Sequence, residues 1–126
     1  MRTTYPIEGG SKKLRRGKEI AQACHASISF LTNRLKKISN NIYQIELSSI
    51  EEQWVKGIFT KICLKVETEE QLLEIEKKAK EKGLICHLIT DRGLTEFNNV
   101  PTNTCLSIGP DLAEKIDEVT GNLELY

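Results

Sequence analysis

Two short apolar runs stand on either side of an amphipathic segment in the middle of the chain, and this order constrains the fold more than any other feature. Thr60–Val66 places its apolar side chains on one side, which predicts a strand. Thr68–Gln71 has the spacing of a capping box, and we expect the helix that it begins to end at Gly83. Leu84–Thr90 is a nearly continuous apolar run, which is typical of a strand covered on both faces. The segment therefore predicts a strand, a helix and a second strand.

The rest of the chain continues this alternation of extended and helical segments. A second capping-box pattern at Ser49–Glu52, turn residues and apolar periodicity define the remaining elements. Pro6 cannot donate a ladder hydrogen bond, so we expect the first strand to lie at a sheet edge or a bulge. The other predicted strands are Thr3–Glu8, Ile42–Leu47, Thr104–Ile108 and Leu123–Leu125, and the other predicted helices are Lys18–Ile38, Ser49–Lys56 and Asp111–Val119.

Strands that alternate with helices predict the α/β class, with a mixed sheet covered by helices on both faces. Connections long enough to contain a helix favour right-handed parallel crossovers, so we expect a mostly parallel sheet. A chain of 126 residues has the usual size of one domain, and no repeat or linker divides it. Residues 1–126 are therefore expected to form one domain.

Composition excludes several classes of protein. Apolar residues make up 39% of the chain and charged residues 29%, which is typical of a soluble globular protein. No apolar run reaches the length of about 18 residues that a membrane span needs, and no apolar signal segment follows the first residues, so a cytoplasmic location is expected. The four cysteines form no CxxC pair and are expected to be buried, reduced thiols: Cys24, Cys63, Cys86 and Cys105.

The charges are distributed unevenly although the net charge is zero. Residues 1–37 contain nine Lys or Arg and two acids, a net charge of +7, and the remainder carries −7. The basic part is either a solvated face or an electrostatic contact for phosphate groups.

The long predicted helix has two stripes on nearly opposite faces. The apolar stripe repeats every three or four residues, which predicts its burial, and consists of Ile20, Cys24, Ile28, Leu31, Leu35 and Ile38. The polar stripe consists of Lys18, Gln22, His25 and Ser29. It is either a solvated outer face or part of a functional site. Arg15 and Arg16 favour the second interpretation, because a helix start with cationic side chains attracts anions.

A second set of polar residues follows the apolar strand at 84–90. Asp91 and Thr95 stand where ligands gather in α/β sheets, beyond the carboxyl end of a strand. The same residues are equally consistent with a plain turn, because Asp91-Arg-Gly93 is a turn signal. Thr102 and Thr104 precede the next predicted strand, and they do not indicate a function by themselves.

Taken in order, these segments resemble the type 2 peptidyl-tRNA hydrolase family from about residue 12 to the C-terminus. The matching segments are Arg16-Gly-Lys-Glu-Ile-Ala-Gln-Ala-Cys-His-Ala-Ser27, Trp54 with Gly57, Lys61-Ile-Cys-Leu-Lys-Val66, Gly83-Leu84, Asp91-Arg-Gly-Leu-Thr-Glu96, Thr102-Asn-Thr-Cys-Leu-Ser-Ile-Gly-Pro110 and Thr120-Gly-Asn-Leu123. The resemblance implies hydrolysis of the ester between a peptide and the 3′ end of tRNA, without a metal or an organic cofactor. It also implies a mixed four-stranded sheet between helices and, in many members, a homodimer.

The resemblance also implies roles for individual residues. A carboxylate base and a lysine can supply the activated water and the oxyanion stabilisation that ester hydrolysis needs. The expected catalytic residues are Lys18, His25, Asp91 and Thr95. The residues expected to bind tRNA or substrate are Lys12, Lys13, Arg15, Arg16, Gln22, Lys61, Thr102 and Thr104.

Two other interpretations remain open at this point. The first strand and Arg92 differ from the family's usual residues, which is consistent with a catalytically weak tRNA-binding, RNA-binding or regulatory domain on the same fold. A metal or thiol protein would use Cys24 with His25 and Cys86 with His87. The absence of any ligand-spacing motif argues against the metal interpretation.

Overall fold

A computed structural model describes residues 2–6, 15–91 and 101–126, and residues 2–6 in their backbone only. The chain alternates strands and helices, as the sequence predicts. In order, the elements are β1 (Arg2–Pro6), α1 (Arg16–Thr32), β2 (Lys36–Ser39), β3 (Ile42–Gln44), α2 (Ser49–Lys56), β4 (Ile62–Val66), α3 (Glu69–Glu81), β5 (Cys86–Asp91), β6 (Thr102–Ile108) and α4 (Ala113–Thr120).

The main sheet has the strand order β4-β1-β6-β5. Among the described strands, only β1 and β4 pair in parallel, whereas β6 is antiparallel to both β1 and β5. The prediction of a mostly parallel four-stranded sheet is therefore wrong, because antiparallel pairings dominate and a separate antiparallel sheet is present. Ten residues separate Asp91 from Thr102, fewer than the dozen or more that a parallel crossover requires, so β6 has to return antiparallel to β5.

The first strand lies inside the sheet and not at its edge, which corrects the expectation based on Pro6. Its register with β4 extends to Pro6, but its register with β6 ends at Thr4. The missing N–H of Pro6 therefore falls beyond the last β6 partner, where it interrupts no ladder with that strand.

The predicted helix Lys18–Ile38 ends six residues early, at Thr32, and Asn33 forms its C-cap. The following residues form the hairpin of β2 and β3, a separate two-stranded antiparallel sheet. Asn41 supplies the left-handed backbone of its turn, with φ of 61°. Asparagine adopts this conformation more easily than most residues, and the helical spacing of Leu35 and Ile38 gave no sign of the turn.

Helices α3 and α4 cover one face of the main sheet. Their apolar side chains join those of the strands in one large core, whose buried members are Val66, Leu72, Ile75, Ala79, Leu84, Leu106, Ile108, Ile116 and Val119. The predicted capping box of α3 is present, since the Thr68 hydroxyl accepts from the amide of Gln71 and the Gln71 side chain accepts from the amide of Thr68. The box of α2 begins at Ser48, one residue earlier than predicted.

Helix α1 covers the opposite face with the side that was expected to be polar. Gln22, Ala26 and Phe30 are its buried residues, whereas Ile20 and Ile28 remain 59% and 51% exposed. The predicted burial of the apolar stripe is therefore wrong. Gln22 can lie on the buried side because Thr104 on β6 accepts its hydrogen bond, as described below.

The cysteines divide between the interior and the surface. All four are free thiols; Cys105 is buried and Cys86 half-buried, but Cys24 and Cys63 are exposed, so their predicted burial is wrong. Burial raises the pKa of the Cys86 and Cys105 thiols to about 12. In the part of the chain that the structure describes, no helix has the length and apolar character needed to cross a membrane.

Candidate active site

A lysine from the start of α1 meets an aspartate at the end of β5. Lys18 Nζ lies 2.6 Å from Asp91 Oδ1, and the two side chains are 20% and 13% exposed. The helix and the strand run in opposite directions. Lys18 lies beside the carboxyl end of β5, whereas Ala26 packs with Cys105, the residue opposite Ile89, further back along that strand. The amino end of α1 and the carboxyl end of β5 therefore form one partly buried, charged site.

One turn further along α1, Gln22 anchors the helix to β6. Its Nε2 donates to Thr104 Oγ1 over 2.9 Å, and the Thr104 hydroxyl donates to the carbonyl of Ile89 over 3.3 Å. The Cys105 thiol lies 3.4 Å from the carbonyl oxygen of Gln22. Both Gln22 and Thr104 are buried, so this chain of hydrogen bonds holds the first two turns of α1 against the sheet beside Lys18.

A bulge in β6 determines which side chains face α1. The register passes from Ile89↔Cys105 to Thr90↔Asn103, which leaves Thr104 as the additional residue. Leu106 points towards α3. If side chains alternated regularly along β6, Thr104 would point to the same face as Leu106 and away from α1. The bulge places both Thr104 and Cys105 towards α1, and it brings Thr102 opposite Asp91.

The start of α1 presents backbone amides and two arginines. The N-cap residue is Arg15, whose guanidinium has only donors and makes no capping hydrogen bond. Arg15 and Arg16 are exposed. A helix start that carries cationic side chains favours an anion at this position, next to the Lys18–Asp91 pair.

The sequence of this chain is similar to those of known proteins. Residues 9–126 match the family model described as Peptidyl-tRNA hydrolase PTH2. A peptidyl-tRNA hydrolase of Nanoarchaeum equitans is 41% identical over 111 residues, which cover 88% of each chain. One of Methanopyrus kandleri is 41% identical over 117 residues, which cover 92% of this chain and 90% of that protein.

This chain belongs to the peptidyl-tRNA hydrolase PTH2 family. The family and the enzyme class inferred from the sequence, a hydrolase acting on the ester of peptidyl-tRNA, are therefore confirmed. A solved structure of a protein of unknown function from Agrobacterium tumefaciens resembles the fold alone, with a TM-score of 0.59, 10% identity and coverage of 99% of this chain and 95% of that chain.

Within this PTH2 chain, the structure brings together Lys18, Gln22, Asp91, Thr102 and Thr104 of the predicted site residues. His25 follows Gln22 on α1 and is exposed. Three of the predicted residues lie outside the part of the chain that the structure describes, namely Lys12, Lys13 and Thr95.

Lys61 stands apart from the other predicted site residues. It precedes β4, whose Ile62 aligns across the sheet with Cys86 at the amino end of β5. Because β4 and β5 run in the same direction, Lys61 lies about 20 Å from Asp91 along the strands. Its ammonium instead lies 4.9 Å from the ring centre of Trp54, and desolvation lowers its pKa.

Two contacts near the site were not predicted. The Tyr126 hydroxyl donates to the Glu19 carboxylate on α1, beside Lys18 in sequence. Desolvation, followed by the hydrogen bond to Glu19, raises the pKa of Tyr126 to about 12. The other contact is the hydrogen bond between Gln22 and Thr104. Predicting it requires knowing that β6 contains a bulge, and no sequence pattern indicated that bulge.

Proposed function

We propose that this chain hydrolyses the ester between a peptide, or an N-blocked amino acid, and the 3′ end of tRNA, with Asp91 as base and Lys18 as stabilising cation. The observation that carries the proposal is the 2.6 Å contact between Lys18 and Asp91 in a partly buried site. Lys18 is at the start of α1 and Asp91 is at the end of β5, and these two ends lie side by side. A substrate carbonyl can therefore approach both groups from beyond the end of the strand. A carboxylate can accept a proton from water, and an ammonium can stabilise an oxyanion.

The reaction follows from these two groups. Asp91 accepts a proton from water while the water oxygen attacks the ester carbon, and Lys18 stabilises the negative charge that develops on the carbonyl oxygen. The intermediate then collapses, the bond from carbon to the ribose oxygen breaks, and Asp91 returns the proton to that oxygen. The products are tRNA with a free terminal hydroxyl and a peptide whose new carboxylic acid releases its proton to solvent.

The surrounding residues position the substrate in this proposal. Gln22 and Thr104 hold α1 in a position in which Lys18 stays in contact with Asp91. Arg15 and Arg16, with the first amides of α1, hold terminal phosphates of the tRNA. His25 and Thr95 complete the proposed catalytic set, and Thr102, Lys12 and Lys13 the proposed binding set. Lys61 is left out because of its place at the other end of the sheet.

The test compares Asp91→Asn with Glu70→Gln, a control that removes one exposed carboxylate on α3. With N-acetyl-aminoacyl-tRNA as substrate, Asp91→Asn should lose roughly 10²- to 10⁴-fold in kcat, the usual contribution of a general base, and keep its affinity for tRNA. Glu70→Gln should retain the wild-type rate. Wild-type turnover in Asp91→Asn would overturn the assignment of the base. An inactive wild-type protein, under conditions in which another PTH2 protein turns over, would overturn the function itself.

We propose that the protein acts as a homodimer through the outer face of α1, and this proposal is separate from the chemistry. Ile20, Cys24 and Ile28 form an exposed apolar stripe there. Tyr126, which is 51% exposed, lies beside the start of this stripe, because its hydroxyl contacts Glu19. A second copy of the same stripe would cover it in a symmetric contact.

We also propose that residues 1–126 form one domain and that it works in the cytoplasm. The support for one domain is that the family match extends over residues 9–126 and that β1 pairs with both β4 and β6. The support for the cytoplasm is the tRNA ester on which the family acts.

A further inference from the structure

The hairpin of β2 and β3 makes few contacts with the other elements that the structure describes. Every residue of both strands is exposed, and their extensive contacts are with one another. An isolated two-stranded hairpin is marginally stable in water, so one that presents large apolar side chains to solvent requires an explanation. The exposed side chains include Ile38, Ile42 and Tyr43, which are 58%, 56% and 53% exposed.

The charge of this segment has one sign. Residues 35–45 contain Lys36 and Lys37 and no acid. Neither lysine forms an ion pair with any residue that the structure describes, whereas seven other lysines pair with carboxylates: Lys18, Lys56, Lys65, Lys78, Lys80, Lys82 and Lys115. The hairpin therefore carries two cations without local neutralisation.

The register of the hairpin places an aromatic ring beside one of these cations. Lys37 stands opposite Tyr43, and Lys36 stands opposite Gln44. A lysine contacts phosphate, and a tyrosine can stack on an unpaired base or donate its hydroxyl to a phosphate. Lysine is depleted at the centres of interfaces between proteins, so this combination fits RNA better than a protein partner.

The hairpin lies at the opposite end of α1 from the candidate active site. Helix α1 has 17 residues, which corresponds to about 25 Å. Lys18 is in its first turn, and β2 begins four residues after its last residue. A tRNA whose 3′ end reaches Asp91 is long enough to reach the hairpin as well.

We infer that the β2–β3 hairpin is a second contact for tRNA, made with the backbone of the molecule away from its aminoacylated end. The inference rests on the proposed function for the identity of the ligand. Lys36 and Lys37 bind phosphates, and Tyr43 lies against the ribose. The major groove of an RNA duplex is too narrow for side chains to read, so the contact is with phosphates and 2′-hydroxyls and carries no sequence preference.

The experiment compares Lys36→Ala/Lys37→Ala with Lys77→Ala/Lys78→Ala, a control that removes two exposed lysines of α3 on the other face of the sheet. Binding of uncharged tRNA is measured over a series of salt concentrations. The hairpin variant should lose about ten-fold in affinity at low salt, and the slope of log K against log[salt] should fall in magnitude by about two. The control should change neither value.

Turnover is then measured on two substrates, N-acetyl-aminoacyl-tRNA and the same ester on a short oligonucleotide of the 3′ end. The hairpin variant should raise KM for the full tRNA at unchanged kcat and leave the short substrate unaffected. Equal losses on both substrates, or an unchanged salt slope, would overturn the inference. So would a change in sedimentation mass, which would make the hairpin a contact with a second copy of the chain. If neither substrate is hydrolysed but the salt slope still falls, the proposed chemistry fails and the hairpin contact stands.

Discussion

His87 lies on β5, on the side of the sheet that faces α1, and its Nδ1 is buried without a hydrogen-bond partner among the described residues. Desolvation, followed by the nearby charge of Arg34, lowers the pKa of this imidazole below its usual value of 6.5. The unfolded chain therefore binds a proton at a pH where the folded protein does not. The free energy of unfolding should be fully retained above about pH 6.5 and should decrease as the pH falls from there towards the lowered pKa.

The prediction is that His87→Gln flattens this acid dependence. Urea unfolding between pH 7.5 and about pH 5 should give a smaller decrease in the free energy of unfolding than in the wild type, because the titrating group is gone. The control is His25→Gln, which removes the exposed histidine of α1. A variant at position 87 with the full wild-type dependence would show that other groups cause it.

At the scale of elements, the bulge of β6 links the sheet to α1. It turns Thr104 towards Gln22, whose amide would otherwise be buried without an acceptor. Removing one partner of a buried hydrogen bond costs more than removing both, because the remaining polar group stays desolvated. The pair therefore fixes the position of α1 and, with it, the position of Lys18.

We predict that Thr104→Val lowers the free energy of unfolding by about 1–3 kcal/mol, measured by urea titration. Thr104→Val/Gln22→Leu should cost less than the sum of the two single substitutions, because no buried amide then remains. Thr120→Val is the control, since the hydroxyl of this buried residue donates only to the carbonyl of Ile116 in its own helix. Additive costs at positions 22 and 104 would contradict the proposed coupling.

Local sequence patterns predicted the positions of helices and strands better than they predicted which faces are buried. Capping residues and alternation located α3, β4 and β5 well, because those signals lie within a few residues. The faces of α1 were predicted in reverse, since its buried Gln22 depends on Thr104, 82 residues away in sequence. The hairpin was missed because Leu35 and Ile38 continued the helical spacing, although Asn33 ends the helix.

At the scale of the whole molecule, the exposed stripe of α1 should determine the oligomeric state. We predict that Ile28→Glu converts a dimer into a monomer in sedimentation equilibrium, because it places a charge at the centre of an apolar contact. Leu73→Glu on α3, which changes another exposed apolar residue on the opposite face, should leave the dimer intact. A monomeric wild type, or dissociation by Leu73→Glu alone, would contradict the proposed interface.

Part of the candidate active site could be predicted from the sequence. Resemblance to the family named Lys18 and Asp91, and the structure brings them together across 73 residues of sequence. Lys61 was grouped with them because sequence alone does not tell which end of the sheet a residue occupies. The order β4-β1-β6-β5 decides that question.

The position of β1 between β4 and β6 affects how the protein is made. The strand lies at residues 2–6, and its second neighbour is complete only at Ile108, about 100 residues later. Ribosomes add about 5–20 residues per second, so β1 waits about 5–20 s for both partners to be synthesised. During that time the edge of β1 that pairs with β6 has no partner strand, although β4 is complete at Val66, so this edge stays open to other strands until Ile108 is added.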